Sequence, residues 1–350
     1  MFARRLPPFT VTALSANLSL RRGRKLAGQL TSKCAGGKAA ALSSSAGGSD
    51  ASPGTDAGNG ENDYGQRVRV EDLGDGIKHV VLSRPSKLNS LDMNMFEAIA
   101  AAAANLHDDA SVRAVILSGE GRAFCTGLDV RSMATGGNPF KSIERLLQRP
   151  SGYARSNAEA APLGNLAQDV GYLWRNLDVP VIASLHGMCF GGGMQIALGA
   201  DFRFATRDCK LSIMEAKWGM IPDMSASVTL RELVRIDVAK ELTMTGRIIS
   251  GTEAAEMGLI TRTVKDPMDE ALKVAKEIIA RSPDSVAASK RLFQDTWVAS
   301  EEHALEYETV LQRQLIASWN QISASIRNFD VRIPYINRMD LKPTKEETHQ

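Results

Sequence analysis

HGMCFGGGMQIALGAD (186–201) sets three consecutive glycines directly before a helical pattern. A glycine in a regular element costs about 0.5–1 kcal/mol relative to alanine, so a run of three at a helix start needs a physical reason. Tight strand–helix packing is one. A ligand approaching backbone N–H groups at the helix N-terminus is the other. GMCFGGG has neither the GxGxxG spacing nor a GK[ST] ending, so it is a poor match to a phosphate loop. Backbone donors without a phosphate signature can instead hold a carbonyl oxygen that gains charge during a reaction. Upstream, a second glycine-rich turn, GRAFCTGLD (121–129), closes a strand-like run and ends on Asp129.

Working outward, VPVIASLHG (179–187) reads as a buried strand and LAQDVGYLWRNL (166–177) as a helix. DFRFATRDCKLSI (201–213) reads as strand, turn, strand. QRVRVEDLGDGIKHVVLSRP (66–85) gives two strands around an Asp-Gly turn. A helix over 91–109, with Leu91, Met95, Ile99 and Ala103 on one stripe, leads to a β-branched strand at 111–121. That crossover spacing implies parallel pairing. The stretch 133–168 has weak periodicity and reads as a mobile excursion. Helices follow at 230–246 and 250–258, a short strand at 259–264, and a Pro-initiated helix at 267–282. From Pro283 to about Asn328 the pattern is almost wholly helical. The fold class is α/β, with repeated strand–helix units and a helical C-terminal region.

Composition narrows the function. The 350-residue chain is 43% hydrophobic and 23% charged, which excludes collagen-like and wholly disordered classes. Its 42 Lys and Arg nearly balance 40 Asp and Glu, so no nucleic-acid partner is indicated. Four cysteines form no CxxC pair, no acid or His cluster has metal-ligand spacing, and no apolar run is long enough for a transmembrane segment. One asymmetry stands out. Residues 1–60 hold eight basic residues and two acids, leaving 34 basic and 38 acidic in the remainder. This Arg- and Ser-rich, acid-poor leader runs into a Gly/Ser-rich linker and reads as an organellar transit peptide. Three segments are expected: transit peptide and linker at 1–63, an α/β core at 64–265 and a helical oligomerisation and lid region at 266–350. The mitochondrial matrix is the first expected location, with plastid and cytoplasm as alternatives.

Two acids attract chemistry. In LSIMEAKWGMIPDMSAS (211–227), Glu215 sits among Ile213, Met214, Trp218 and Met220, and Asp223 follows Pro222. Burial there would raise a carboxyl pKa, as proton transfer near neutral pH requires. The bland alternatives are a surface ion pair with Lys217 and a turn cap. His186, at a strand end, reads as a structural histidine before a base. Cys125 and Cys189 read as small packing residues, and Trp174, Trp218 and Met220 as core or pocket lining.

Five blocks in order carry a specific resemblance: SRPSKLNSLD (83–92), AVILSGEGRAFCTGLD (114–129), PVIASLHGMCFGGGMQIALGADFRFAT (180–206), LSIMEAKWGMIPD (211–223) and TGRIISGTEAAEMGLITRTV (245–264). Over about residues 66–296 the chain resembles the crotonase superfamily, the enoyl-CoA hydratase/isomerase family. The resemblance implies a crotonase-like spiral of repeated β-β-α units and an acyl-CoA thioester substrate, with no cofactor or metal. It also implies a homotrimer or hexamer. The thioester carbonyl would lie between the backbone N–H groups of Leu128 and Gly192, with Gly127 and Gly191 shaping the two turns. Arg84, Lys87, Asp129 and Trp218 would contact substrate or its CoA. The family's hydratases carry two glutamates. Here the second is Glu215, while the first position holds Gln195, which cannot accept a proton as a carboxylate does. The family's dienoyl-CoA isomerases carry a further acid where Asp223 stands. The expectation is therefore a double-bond isomerase acting on enoyl- or dienoyl-CoA. Hydration by Glu215 with Gln195 is the alternative; another crotonase reaction (thioester hydrolysis, decarboxylation) or a non-catalytic role ranks lower.

Overall fold

The first hairpin turns where its Asp-Gly pair lies, since Gly74, Asp75 and Gly76 all take the left-handed backbone that glycine and aspartate tolerate. The turn joins β2 (Val68–Asp72) to β3 (Ile77–Leu82), and β1 (Asn62–Tyr64) extends the antiparallel edge. The computed structural model describes residues 62–64, 67–135, 139–153, 164–329 and 331–342. Residues 1–61 of the expected transit peptide and linker lie outside them, while 62 and 63 begin β1. Parallel strands β4 (Ala114–Gly119), β5 (Val181–Leu185), β7 (Phe202–Ala205) and β10 (Arg262–Thr263) complete a seven-stranded sheet in the order β1-β2-β3-β4-β5-β7-β10. A smaller sheet joins β6 (Met188–Phe190), β8 (Lys210–Ser212) and β9 (Ile249–Ser250) in the order β6-β8-β9.

Period-2 alternation gives the large sheet two buried faces. Ile77, Ala114, Ile116, Ile182 and Phe204 pack with Ala271 and Ala275 of helix α9 (Pro267–Ile279). Val80, Leu82, Val115, Leu117 and Val181 enter the main core beneath helix α1 (Met93–Asp108). Asp92 caps α1 by accepting the Met95 N–H at 2.9 Å, and Met95, Ile99 and Ala103 of the expected stripe are buried.

Two readings change. The 133–168 excursion contains helical structure: α2 (Val130–Thr135) and α3 (Pro139–Leu147) occupy its start, before α4 (Leu166–Arg175). The strand–turn–strand at 201–213 forms as expected, with β7 and β8 joining different sheets. The helix expected at 230–246 is two, α6 (Ala226–Leu233) and α7 (Ile236–Thr245), parted at Val234 and Arg235, which are extended. α5 (Gly192–Leu198) and α8 (Gly251–Glu256) lie where expected.

The C-terminal helices α10 (Pro283–Thr296), α11 (Glu301–Leu315) and α12 (Trp319–Arg327) are fastened to the core by polar contacts. Lys290, its side chain only 7% exposed, donates to Asp201 (2.8 Å) and to the Val179 carbonyl (2.9 Å). Residues 331–342 then run back across the same subunit. Arg338 donates to the carbonyls of His107, Asp109 and Val112 around the C-terminal end of α1. Asp284 accepts from Asn320 and from the Met339 N–H. Among the described residues no helix is long and apolar enough to cross a membrane.

Candidate active site

The two glycine-rich turns meet backbone to backbone. Cys125 bridges Cys189 in parallel, with Phe190 N–H donating to the Cys125 carbonyl at 2.9 Å. Gly127 has a φ of +82°, and a Cβ placed on it would lie 2.8 Å from the Phe190 carbonyl oxygen and 3.2 Å from the Gly192 nitrogen. Only glycine allows this approach. Leu91 bridges Leu128 through flanking bonds, its N–H to the Gly127 carbonyl and its carbonyl to the Asp129 N–H. These leave the Leu128 N–H on the side away from Leu91. Gly192 is the first residue of α5, where an N–H has no intrahelical partner. Neither N–H meets an acceptor among the described residues. Two neighbouring turns thus each present one unspent backbone donor.

Glu215 stands beside them. It opens the 3-10 turn Glu215–Trp218 that follows β8, and Oε1 lies 3.5 Å from a Cβ placed on Gly191. The residue is 7% exposed. Gln195 on α5, wholly buried, donates from Nε2 to Glu215 Oε1 at 2.6 Å and accepts the Met224 N–H on Oε1 at 2.8 Å. Glu215 Oε2 is buried without a partner. Burial raises the Glu215 pKa; the Gln195 hydrogen bond opposes that rise and the nearby Asp223 charge adds to it. Asp223 lies in the loop before α6, reached by solvent, yet surrounded closely enough that desolvation raises its pKa too. The structure therefore brings together Leu128, Gly192 and Gln195 of α5, Glu215 and Asp223 from four places along the chain.

Other expected site residues fall differently. Arg84 is not left free for a phosphate: Nη1 donates to Asp129 (2.8 Å) and to the Ser90 carbonyl (2.9 Å), and Nη2 approaches Asp92 (3.4 Å). Asp129 is correspondingly engaged. Burial acts to raise its carboxyl pKa, but the Ser132 N–H and Arg84 outweigh it and hold it below the usual value. These two residues staple the 84–92 loop to the second turn. Lys87 is exposed and remains the basic candidate. Trp174 is core, whereas Trp218 and Met220 are exposed, Trp218 by 60%, so the core reading of those two is corrected. His186 Nε2 lies 2.9 Å from the Gly121 carbonyl oxygen, which accepts from it, a structural contact. Burial pushes the Cys125 and Cys209 thiols up to about 12, well away from thiolate chemistry.

Sequence reasoning missed two contributors. Asn89, wholly buried with φ +55°, donates to the Glu120, Ala123 and Phe124 carbonyls and fixes the turn that leads into Cys125. Its signal was an Asn inside KLNS, a residue type that tolerates left-handed backbone. The Met224 N–H had no side-chain signal at all. A cavity of about 860 Å³ lies elsewhere, lined by Arg175, Lys290, Phe293 and Trp297. It contains none of the residues above, and of its charged lining Arg175 pairs with Glu232 and Lys290 with Asp201.

A pair of unspent backbone donors on adjoining turns, with a buried carboxylate beside them, is an arrangement suited to holding an oxygen that gains charge. A family model described as enoyl-CoA hydratase/isomerase matches residues 72–330, and the chain belongs to that family. A peroxisomal Delta(3,5)-Delta(2,4)-dienoyl-CoA isomerase of Arabidopsis thaliana is 29% identical over 247 residues, covering 70% of this chain and 84% of its own. Enoyl-CoA hydratase EchA19 of Mycobacterium tuberculosis is 32% identical, covering 66% and 81%. The crystal structure of an enoyl-CoA hydratase from Bacillus anthracis superposes with a TM-score of 0.67 at 24% identity over 78% of this chain and 99% of that one. The crotonase-like fold is thereby shared.

Proposed function

We propose that this enzyme shifts a double bond in an enoyl-CoA or dienoyl-CoA thioester by carboxylate-mediated proton transfer. One observation carries the reading: Glu215, with an unpartnered Oε2, stands beside a turn pair whose Leu128 and Gly192 N–H groups are unspent. In a 3-enoyl-CoA the Glu215 carboxylate removes a proton from the carbon next to the thioester. The electrons move onto the thioester oxygen, held by the two N–H groups. The proton then returns at the far end of the allylic system, leaving the 2-enoyl isomer with its mass unchanged. Asp223 supplies a second acid for the longer dienoyl system. Lys87, Gly127, Gly191 and Trp218 are the proposed substrate contacts.

The alternative is hydration of a trans-2-enoyl-CoA, supported by the hydratase among the relatives. It requires Gln195 to serve where a carboxylate would hold water. Offering purified protein trans-2-enoyl-, 3-enoyl- and 3,5-dienoyl-CoA, with products followed by mass, separates the readings. Isomerisation of the 3-enoyl or dienoyl substrate without mass change is expected. Conversion of the trans-2-enoyl substrate alone, with a gain of about 18 Da, the mass of one water, would overturn it. A homotrimer or hexamer is proposed on the family resemblance, and a monomer in light scattering would contradict it. Mitochondrial import is proposed on the leader composition. Since one relative is named peroxisomal, residues 1–60 fused to a fluorescent reporter should be scored against markers of both organelles, and a peroxisomal or diffuse reporter would defeat import.

A further inference from the structure

Both polar atoms of the Gln195 amide are engaged. The Met224 N–H donates to its Oε1 at 2.8 Å, and its Nε2 donates to Glu215 Oε1 at 2.6 Å. The residue is wholly buried, so no solvent competes for either end. The two contacts fix the amide orientation. Turned over, its oxygen would face the Glu215 carboxylate and its NH₂ would face the Met224 N–H, an acceptor against an acceptor and a donor against a donor. A Cβ placed on Gly192 would lie 2.8 Å from the Met224 sulfur, so the residue that orients Gln195 also packs its side chain on the α5 start.

We infer that Gln195 is a positioning residue: its amide, oriented by the Met224 N–H, clamps Oε1 of Glu215 and leaves Oε2 as the oxygen that carries the proton. The inference rests on Glu215 as the base in the proposed function and deepens it. It also assigns this position a different job from a water-holding acid. A carboxamide oxygen cannot take up a proton as a carboxylate does, and here it already accepts the Met224 N–H. One N–H of its NH₂ group is spent on Glu215. The donor favours the charged form of Glu215 and so opposes the effect of burial and of Asp223, the charged neighbour that acts on it.

The test compares wild type, Gln195→Met and Gln195→Glu. Methionine keeps the length and loses the donor. Glutamate keeps the shape, accepts the Met224 N–H, and sets a second carboxylate oxygen against Glu215 Oε1. For each protein the pH dependence of kcat and kcat/KM is measured on 3-enoyl-CoA and 3,5-dienoyl-CoA. The acid limb should move up by about one pH unit in Gln195→Met and by about two or more in Gln195→Glu, since like charges in contact strongly disfavour double ionisation. Plateau kcat should fall by about tenfold or less, well short of the ~10²–10⁴-fold effect of losing a proton-transfer group, with KM little changed. An acid limb unmoved in both variants would overturn the clamp. So would a Gln195→Glu protein that keeps the wild-type limb while hydrating trans-2-enoyl-CoA, which would mark a water-facing position. If Gln195→Met does not fold, the Gln195→Glu profile decides alone. A readout independent of turnover separates the clamp from the base assignment. The pH dependence of unfolding with and without Glu215→Gln, in the wild-type chain and in the Gln195→Met variant, reports the Glu215 titration directly. A Glu215 titration that shifts with the Gln195→Met change while Glu215→Gln retains full turnover would keep the Oε1 contact but remove Oε2 as proton carrier, and with it the base reading. An unshifted titration together with loss of turnover would sink the clamp alone.

Discussion

A buried carboxylate is costly to keep charged, and Glu215 keeps one oxygen without any partner. Its pKa is raised in the folded chain, chiefly by desolvation. The folded state therefore holds this proton more tightly than the unfolded state does. As pH rises from the ordinary carboxylate range through the raised value, the unfolded chain releases the proton first and stability falls. Glu215→Gln removes that penalty, so it should raise the melting temperature at neutral pH while lowering kcat by about 10²–10⁴-fold. Calorimetry beside a 3-enoyl-CoA assay checks both signs, and a variant that is slow and also less stable at neutral pH would contradict the burial argument. The acid limb of wild-type kcat/KM should sit above the ordinary glutamate range for the same reason. Much at this scale was legible: the family resemblance carried by the FCTGLD, GGG and MEAKWG blocks pointed to Leu128, Gly192, Gln195 and Glu215, which the fold places near one another. The Gln195–Glu215 bond was not, because the two residues are twenty apart and meet only once α5 packs against the turn after β8. Arg84 misled for a related reason: a turn arginine reads alike in sequence whether it faces water or, as here, Asp92 and Asp129.

At the scale of elements, the site depends on how closely α5 approaches the FCTGLD turn. A Cβ placed on Gly193 would lie 2.4 Å from the Cys125 carbonyl oxygen and 2.7 Å from the Cys125 Cβ. Neither neighbour is the end of a flexible side chain, so Gly193→Ala must push the two turns apart. A destabilisation of about 1–3 kcal/mol is expected, typical of overpacking. The same displacement separates the Leu128 and Gly192 donors, so kcat should fall in the molecules that remain folded. Urea unfolding with parallel kinetics tests this; an unchanged midpoint and unchanged kcat would mean the turns yield freely. Sequence period gave strand and helix types well here, because alternation and the i, i+3, i+4 stripe are properties of one segment. Strand partners are not. β7 and β8 are separated by a short turn yet join different sheets, since β7 extends the parallel order beside β5 while β8 runs beside β6. The α6–α7 break likewise carries no glycine or proline, only Val234 and Arg235 in extended conformation.

For the whole molecule, the question is what keeps three C-terminal helices on an α/β core built far earlier in the chain. Apolar packing at their own centre is small, with Ala287, Ala288, Tyr307, Leu311 and Leu341 forming a separate cluster. The link to the core is largely polar. Lys290 reaches Asp201, Asp284 and Asn320 hold the returning strap, and Tyr335 lies with the Arg327 guanidinium 4.3 Å from its ring centre. Arg338 completes the link by donating to three carbonyls at the end of α1. The sequence suggested helices and nothing about this return path, because residues 331–342 have no regular period and the Arg338 contacts lie more than two hundred residues away. Arg338→Ala strips the donors from those carbonyls. Hydrogen bonds from a charged donor contribute about 1.5–3 kcal/mol each when the acceptor cannot turn to water, and less where it can. The α1 end is partly open to solvent, so a net loss of about 1–3 kcal/mol is expected. It should appear first as local release of the strap, not as global unfolding. Limited proteolysis should cut between 329 and 342 faster in Arg338→Ala than in wild type, with 3-enoyl-CoA turnover retained, because Leu128, Gly192 and Glu215 make no contact with the strap. Arg338→Lys, one charge with fewer directed donors, should fall between the two. Equal cleavage rates in all three proteins would show that Lys290 and Asp284 hold the C-terminal helices without Arg338.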